Sequence, residues 1–304
     1  MERRSTVTRM DLEFMLIDET AEPMALPLTL LRHITDDFSA EHEIGRGGFA
    51  VVYKGKLGNR TVAVKRMSNT FVDESEFHRE VQCLMMVKHK NIVRFLGYYA
   101  ETHWTMVTQE GKFVMADVNQ RLLCFEYLPN GSLDKYITGL QWRDRFQIIT
   151  GICQGLHYLH QNSFMHLDLK PTNILLDDNL VPKLADFGLS GYIAPEYYNY
   201  TEVTHQLSPL LDIYSLGIII IEILTGRKGN IDVELVVESW SNMVEKSHSD
   251  VQMEQVRICA EIAIECIDFN PAKRPDTQHI ISRLDQIKIM DGYVKTGMIT
   301  SHQL

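Results

Sequence analysis

One stretch near the middle of this 304-residue chain constrains what it can fold into more than any other. His166-Leu-Asp-Leu-Lys-Pro-Thr-Asn173 is followed, after two short apolar runs, by Asp186-Phe-Gly188. An acid (Asp168), a cation two residues on (Lys170), an amide (Asn173) and a second acid (Asp186) are thereby set around runs that read as two short strands, residues 173–176 and 181–184. Phosphoryl transfer from a metal nucleotide asks for such a set. One carboxylate orients the attacking hydroxyl and takes its proton. A carboxylate and an amide oxygen hold Mg²⁺, and a Lys offsets the charge that develops on the transferred phosphate.

The chain upstream supplies a phosphate cradle. Gly45-Arg-Gly-Gly-Phe-Ala-Val-Val52 runs into a predicted strand at 51–56, a turn at 57–60 and a β-branched strand at 61–67. The glycines sit between strands and do not open a helix, which argues against a dinucleotide fingerprint. They let backbone N–H groups lie close over phosphates. Residues 73–87 read as a helix with Asp73 as N-cap and Glu76 three residues on. Phe77, Val81, Leu84 and Lys88 share one of its faces, with Glu80 beside them. Further strands are expected at 91–97 and 121–127. The stretch between them, 98–120, is longer than a hairpin needs and reads as an extended hairpin or surface insertion, with no role assigned.

Pro129-Asn-Gly131 is a turn and a plausible boundary between two lobes. Residues 142–160 form a strong helical pattern, with Phe146, Ile149, Ile152, Cys153, Leu156 and Leu159 at 3- and 4-residue spacing. Gly151 and Gly155 would admit a close helix contact. Asp212 opens an apolar run that reads as the buried central helix of the larger lobe. At the ends, residues 1–25 lack periodicity and read as a loose extension, residues 26–38 as a short helix or turn on the domain's edge, and the tail after about residue 291 as frayed.

Composition narrows the classes. A net charge of −10 disfavours non-specific binding to nucleic-acid phosphates. The five cysteines lack C-x-x-C spacing and sit in apolar contexts, so reduced core thiols in a cytoplasmic compartment are expected. The strongest apolar run, residues 216–224, is interrupted by Gly217 and Glu222 and is too short to span a bilayer. Glu2 is not a myristoylation glycine, and the Ser301-His-Gln-Leu304 ending is not a prenylation box. Direct membrane insertion is therefore not expected, and any work at a membrane would need a partner.

The pattern resembles the eukaryotic protein kinases: H-R-D-L-x-x-x-N at 166–173, D-F-G at 186–188 and V-A-I-K at 62–65. Gly48-Phe-Ala-Val-Val-Tyr-Lys-Gly55, Pro129-Asn-Gly-Ser-Leu-Asp134 and Gly191-Tyr-Ile-Ala-Pro-Glu-Tyr197 are most similar to plant receptor-like serine/threonine kinases. The resemblance covers roughly residues 38–290. It implies an α+β, two-lobed fold: an extension over 1–37, a small β-rich N-lobe with one main helix and the hinge over 38–128, a larger mostly helical C-lobe over 129–290, and a tail over 291–304.

ATP and Mg²⁺ are the implied cofactors. Asp168, Lys170, Lys65 and its helix partner Glu80 would be catalytic, and Asn173 and Asp186 would hold the metal. Ile44, Gly45, Arg46, Gly47, Gly48 and Val52 would cover the nucleotide. Ala63, Lys65, Phe125, Glu126, Leu128 and Leu175 would line the rest of its site, with the hinge backbone bonded to adenine. Arg274 would pair with Glu196. The implied partners are proteins with Ser or Thr acceptors and a membrane receptor that would recruit a cytoplasmic protein to the plasma membrane.

Two departures stand out. Leu167 replaces the Arg that precedes the catalytic Asp, so that Arg's usual capture of a phosphorylated activation loop is not available. Only Leu189-Ser-Gly-Tyr-Ile193 separates Gly188 from Ala194, which can span at most roughly 17 Å. Alternatives to an active kinase are therefore a nucleotide-binding pseudokinase or scaffold, a shortened gene model, and a non-kinase phosphate-binding domain. Any switching is expected to act through the Glu80 helix or through a partner.

Overall fold

The computed structural model describes residues 7–48, 50–68, 74–109, 112–186, 208–227, 236, 238–240 and 249–287. The chain divides into two compact units, one of residues 1–88 and 93–127, the other of residues 89–92 and 128–304. The first is sheet-rich and the second mostly helical, which gives the α+β architecture expected.

The first unit is built on a six-stranded sheet of order β1-β5-β6-β4-β3-β2. Its strands are β1 (Met24–Ala25), β2 (Glu43–Arg46), β3 (Ala50–Leu57), β4 (Arg60–Met67), β5 (Phe95–Gln109) and β6 (Lys112–Glu126). All pairings are antiparallel except β1 on β5. Helix α3 (Glu74–Met86) buries Phe77, Val81 and Leu84, the i, i+4, i+7 face. Its expected cap, Asp73, lies outside the described residues.

The loose N-terminal extension is corrected. Thr8 caps helix α1 (Arg9–Ile17) in a reciprocal capping box with Asp11. Helix α2 (Leu28–Ile34) follows β1. Leu12, Met15, Leu26, Leu30, Leu31 and Ile34 share one buried cluster with Leu57, Val62, Val64, Leu96, Leu122 and Cys124 of the sheet. Residues 1–25 read as loose because their apolar residues are split between one short helix and a two-residue strand, whereas α2 answers to the short helix or turn expected over 26–38. Gly97 shows how closely β1 sits: a Cβ there would run into the Met24 carbonyl oxygen.

The long stretch over 98–120 is a hairpin, with Phe95 to Gln109 of β5 paired to Lys112 to Phe125 of β6. The strand expected at 91–97 begins only at Phe95. Asn91 and Ile92 belong to the second unit, where Ile92 bridges Leu184.

In the second unit α4 (Trp142–Gln161) is followed by the hairpin β7 (Ile174–Leu176) and β8 (Pro182–Leu184), then α5 (Pro209–Thr225), α6 (Ser249–Cys266) and a helix, α7, over residues 277–287. Helix α5 starts at Pro209 behind a Ser208 cap, earlier than Asp212. The two glycines of α4 do not meet a helix. A Cβ at Gly151 would stand 2.5 Å from the Pro182 ring, and one at Gly155 2.7 Å from the Asn91 carbonyl. That missing bulk seats β8 against α4. Asn91 then fixes β8, with Nδ2 donating to the Pro182 carbonyl at 2.9 Å and its own carbonyl accepting from Leu184 N at 2.9 Å.

None of the five cysteines is in a disulfide, and burial pushes Cys124 up to about 12 and raises Cys259 and Cys266 as well, so these remain thiols. Among the described residues no helix is long and apolar enough to cross a membrane.

Candidate active site

In the first unit, strand register gathers the residues expected to touch the nucleotide. Val52 lies opposite Lys65, and Ala63 opposite Phe125. Opposed residues share a face and alternate residues repeat it, so Val52, Ala63, Lys65 and Phe125 stand on one face of the sheet. Gly45 pairs with Val52. Gly47 N donates to the Ala50 carbonyl at 2.8 Å, so the Ala50 backbone serves as an acceptor at the turn. Gly48 and Ile44 are exposed. Arg46 turns its guanidinium to Glu43, Nε donating to Oε1 at 2.8 Å, which leaves its backbone to the loop.

Lys65 Nζ lies 3.4 Å from Glu80 Oε1 on α3, both half-buried. The Glu126 side chain stands elsewhere. It lies opposite Val62, on the other face from Phe125, and its carboxylate accepts from Arg94 N at 2.8 Å. Its side chain therefore does not share the face that carries Val52, Ala63, Lys65 and Phe125.

The second unit assembles the other polar residues. Helix α4 ends at Asn162, and the chain turns through two positive-φ residues, Ser163 and Leu167. Asp168 is buried. Lys170 Nζ donates to both its carboxylate oxygens at 2.9 Å, and Asn173 Nδ2 donates to its Oδ2 at 2.8 Å and its carbonyl at 2.9 Å. Asn173 commits its nitrogen to Asp168 in this way. The Asn173 carbonyl accepts from Ala185 N at 2.8 Å, which ties the loop to the residue before Asp186. Asp186 is exposed and holds φ of 55°, a left-handed turn at the end of β8. Leu175 is half-buried on β7, whose backbone bridges Ser132, and the Leu128 carbonyl accepts from Gly131 N at 3.2 Å.

One residue that positions this loop went unassigned in the sequence. Asp212, in the first turn of α5, is buried and takes His166 N on Oδ2 and Leu167 N on Oδ1, both at 2.8 Å, while His160 Nε2 lies 2.9 Å from Oδ2. Its carboxylate holds two consecutive backbone amides and so sets the left-handed turn at Leu167. The available signal was an acid opening an otherwise apolar helix.

His166 is fully buried. Burial lowers its pKa, against the pull of the Asp212, Asp168 and Asp186 carboxylates, and its Nδ1 accepts from Asp168 N at 3.3 Å. A family model described as Protein kinase domain matches residues 38–284.

The chain belongs to the protein kinase family.

Among curated relatives, this protein kinase chain is similar to three receptor-like kinases of Arabidopsis thaliana. It is 31% identical to cysteine-rich receptor-like protein kinase 27 over 88% of this chain and 45% of the relative. It is 35% identical to cysteine-rich receptor-like protein kinase 7 over 84% and 43%. It is 34% identical to a G-type lectin S-receptor-like serine/threonine-protein kinase over 84% and 35%. The chain thus spans less than half the length of these relatives. The sheet-rich and helical units are the two lobes of the kinase fold. Residues 187–207, with Ala194-Pro-Glu196 and the shortened 189–193 segment, lie outside the described residues, and so does the Glu196 end of the expected pair with Arg274. The Arg274 guanidinium donates to the Leu210 and Asp268 carbonyls and stacks on Tyr214.

A pH dependence of stability follows in the helical lobe of this kinase. His89 stacks on Tyr158, and its Nδ1 accepts from Asn91 N at 3.1 Å, so the residue that fixes β8 depends on a neutral imidazole. Burial first, then Lys90, His157 and Lys183, lower the His89 pKa below 6.5. A depressed His pKa means that the unfolded chain takes up the proton before the folded one. The stability carried by neutral His89 is complete above pH 6.5 and drains away as the pH falls below it. The melting temperature is expected to fall on acidification through this range, with His166 adding to the fall, and His89→Gln is expected to flatten it. An identical pH profile in the variant would place the protons elsewhere.

Proposed function

We propose that this chain is an ATP-dependent protein serine/threonine kinase that transfers the γ-phosphate of Mg-ATP to Ser or Thr hydroxyls of protein substrates. The observation that carries the reading is the Asp168 carboxylate, buried and held by Lys170 and Asn173. A carboxylate so aimed suits a proton acceptor for a hydroxyl. Lys170 would move its charge from Asp168 toward the transferred phosphate. Lys65, paired with Glu80, would meet the α- and β-phosphates.

The donor set fits magnesium. Asn173 Oδ1 and the Asp186 carboxylate are hard oxygens, and Mg²⁺ is usually bound by one or two such groups with water and phosphate oxygens filling the rest. When bound, Mg²⁺ would neutralise charge on the β- and γ-phosphates. The assembled Asp168 cluster speaks against a scaffold without transfer. The receptor-like names of the relatives favour a receptor partner that recruits the protein to the plasma membrane from the cytoplasmic side.

The test is binding and transfer in the purified protein. Mg-ATP at a hundredfold excess over Kd is expected to raise the melting temperature by roughly 5 °C or more. Asp186→Asn is expected to remove the magnesium-dependent part of that rise. Labelled phosphate should appear on Ser or Thr of a generic protein substrate. An equal shift with and without magnesium, or label confined to Tyr, would count against the reading.

A further inference from the structure

Helix α3 is tied to the sheet by a contact that the proposed phosphate chemistry does not explain. Arg121 lies on β6 two residues from Leu123, the residue opposite Lys65, so it shares the face of the sheet that carries Lys65. It is 5% exposed, and its guanidinium sits 5.5 Å from the ring centre of Phe77. Phe77 is fully buried and precedes Glu80 by three residues, so the two are neighbours on one side of α3. Glu80 in turn meets Lys65 at 3.4 Å. The contacts close a loop: from β6 through Arg121 to Phe77, along one turn of α3 to Glu80, and back to the sheet at Lys65.

A guanidinium over an aromatic ring is attracted to the ring's negative face, most strongly where water is excluded. It is also planar, so the stack prescribes a distance and a ring orientation. An aliphatic residue at position 121 would fill the space and accept Phe77 at several heights and rotations. We propose that Arg121 is a positioning residue: by stacking on Phe77 it sets the place of α3 over the sheet and so holds Glu80 against Lys65. The proposal rests on the reading of Lys65 as the phosphate-binding Lys. It locates the control of ATP affinity in a buried cation on the same face of the sheet.

The test uses Arg121→Leu, Arg121→Lys and Phe77→Leu, each alone and combined with Glu80→Gln. Arg121→Leu is expected to raise the KM for Mg-ATP about tenfold, the scale of one desolvated cation–π contact, with a smaller effect on kcat. Phe77→Leu should follow it, and Arg121→Lys, which keeps the charge but loses the plane, should recover only part of the affinity. In the Glu80→Gln background Arg121→Leu should change little, because the pair that it positions is already gone. Backbone hydrogen exchange over residues 77–86 should quicken in Arg121→Leu and Phe77→Leu, while exchange over residues 142–161 stays as in the wild type. A full tenfold effect that persists in the Glu80→Gln background, or unchanged exchange in α3 of the folded variants, would overturn the proposal. A wild type that binds Mg-ATP without transferring phosphate would defeat the proposed function, and the exchange data with Mg-ATP dissociation constants would still decide the role of Arg121.

Discussion

Asp168→Asn is expected to lower phosphate transfer by about 10²–10⁴-fold, the range of a lost general base, while Mg-ATP still binds. The substitution keeps the shape of the side chain and removes its charge and one acceptor oxygen. The surrounding loop has independent supports. Asp212 holds the His166 and Leu167 amides, and the Asn173 amide bonds the Asp168 carbonyl as well as its carboxylate. The backbone is therefore expected to stay in place, and the loss to fall on chemistry. Lys170 would lose one of the two oxygens it now grips at 2.9 Å, which frees it without repairing the missing base. Steady-state transfer measured beside a thermal-shift titration with Mg-ATP separates the two effects. Turnover equal to the wild type would sink the assignment of Asp168.

Deleting residues 1–37 is expected to unfold the sheet-rich unit. Six side chains of this segment, Leu12, Met15, Leu26, Leu30, Leu31 and Ile34, are at most 9% exposed and lie in one cluster with the sheet. Burying such a side chain contributes about 1.5–3 kcal/mol, so six come to on the order of 10 kcal/mol. That equals the whole stability of an ordinary domain, about 5–15 kcal/mol. The deletion would also strip β1 from the edge of β5 and expose the sheet face that holds Val62 and Val64. A milder probe is Leu31→Ala, a fully buried site, expected to cost about 2–5 kcal/mol in denaturant unfolding. A truncated protein with the wild-type unfolding midpoint and ATP affinity would show that the segment is an ornament.

The polar cluster around Asp168 was legible in the sequence because it is local. Asp168, Lys170 and Asn173 lie within one short loop, and a spacing of two to five residues already limits which side chains can meet. The same holds for Lys65 in an alternating strand, where period 2 assigns its face, and for the apolar stripe of α3, where period 3.6 assigns Phe77, Val81 and Leu84 to the core. The long hairpin over 98–120 was also visible as an excess of chain between two strand patterns.

Tertiary structure alone decided the contacts between residues distant in sequence. Nothing local marks Asp212 as the support of a loop that precedes it by more than forty positions; its carboxylate matters because α5 happens to bring a buried acid beneath two backbone amides. Gly151 and Gly155 announced a close approach, but only the fold shows that a strand and the Asn91 segment fill the space rather than a helix. Asn91 itself follows the first unit's helix in sequence and belongs to the second unit, because its hydrogen bonds run to β8. Residues 1–25 looked loose since α1 and the two-residue β1 carry too little apolar periodicity alone, whereas α2 falls within the short helix or turn read over 26–38. The order of the N-terminal segment comes from burial against a sheet formed later in the chain, a free energy that exists only once both are folded. Chain connectivity and side-chain period therefore determine which residues can share a site, and long-range packing determines which of them are held rigidly enough to work.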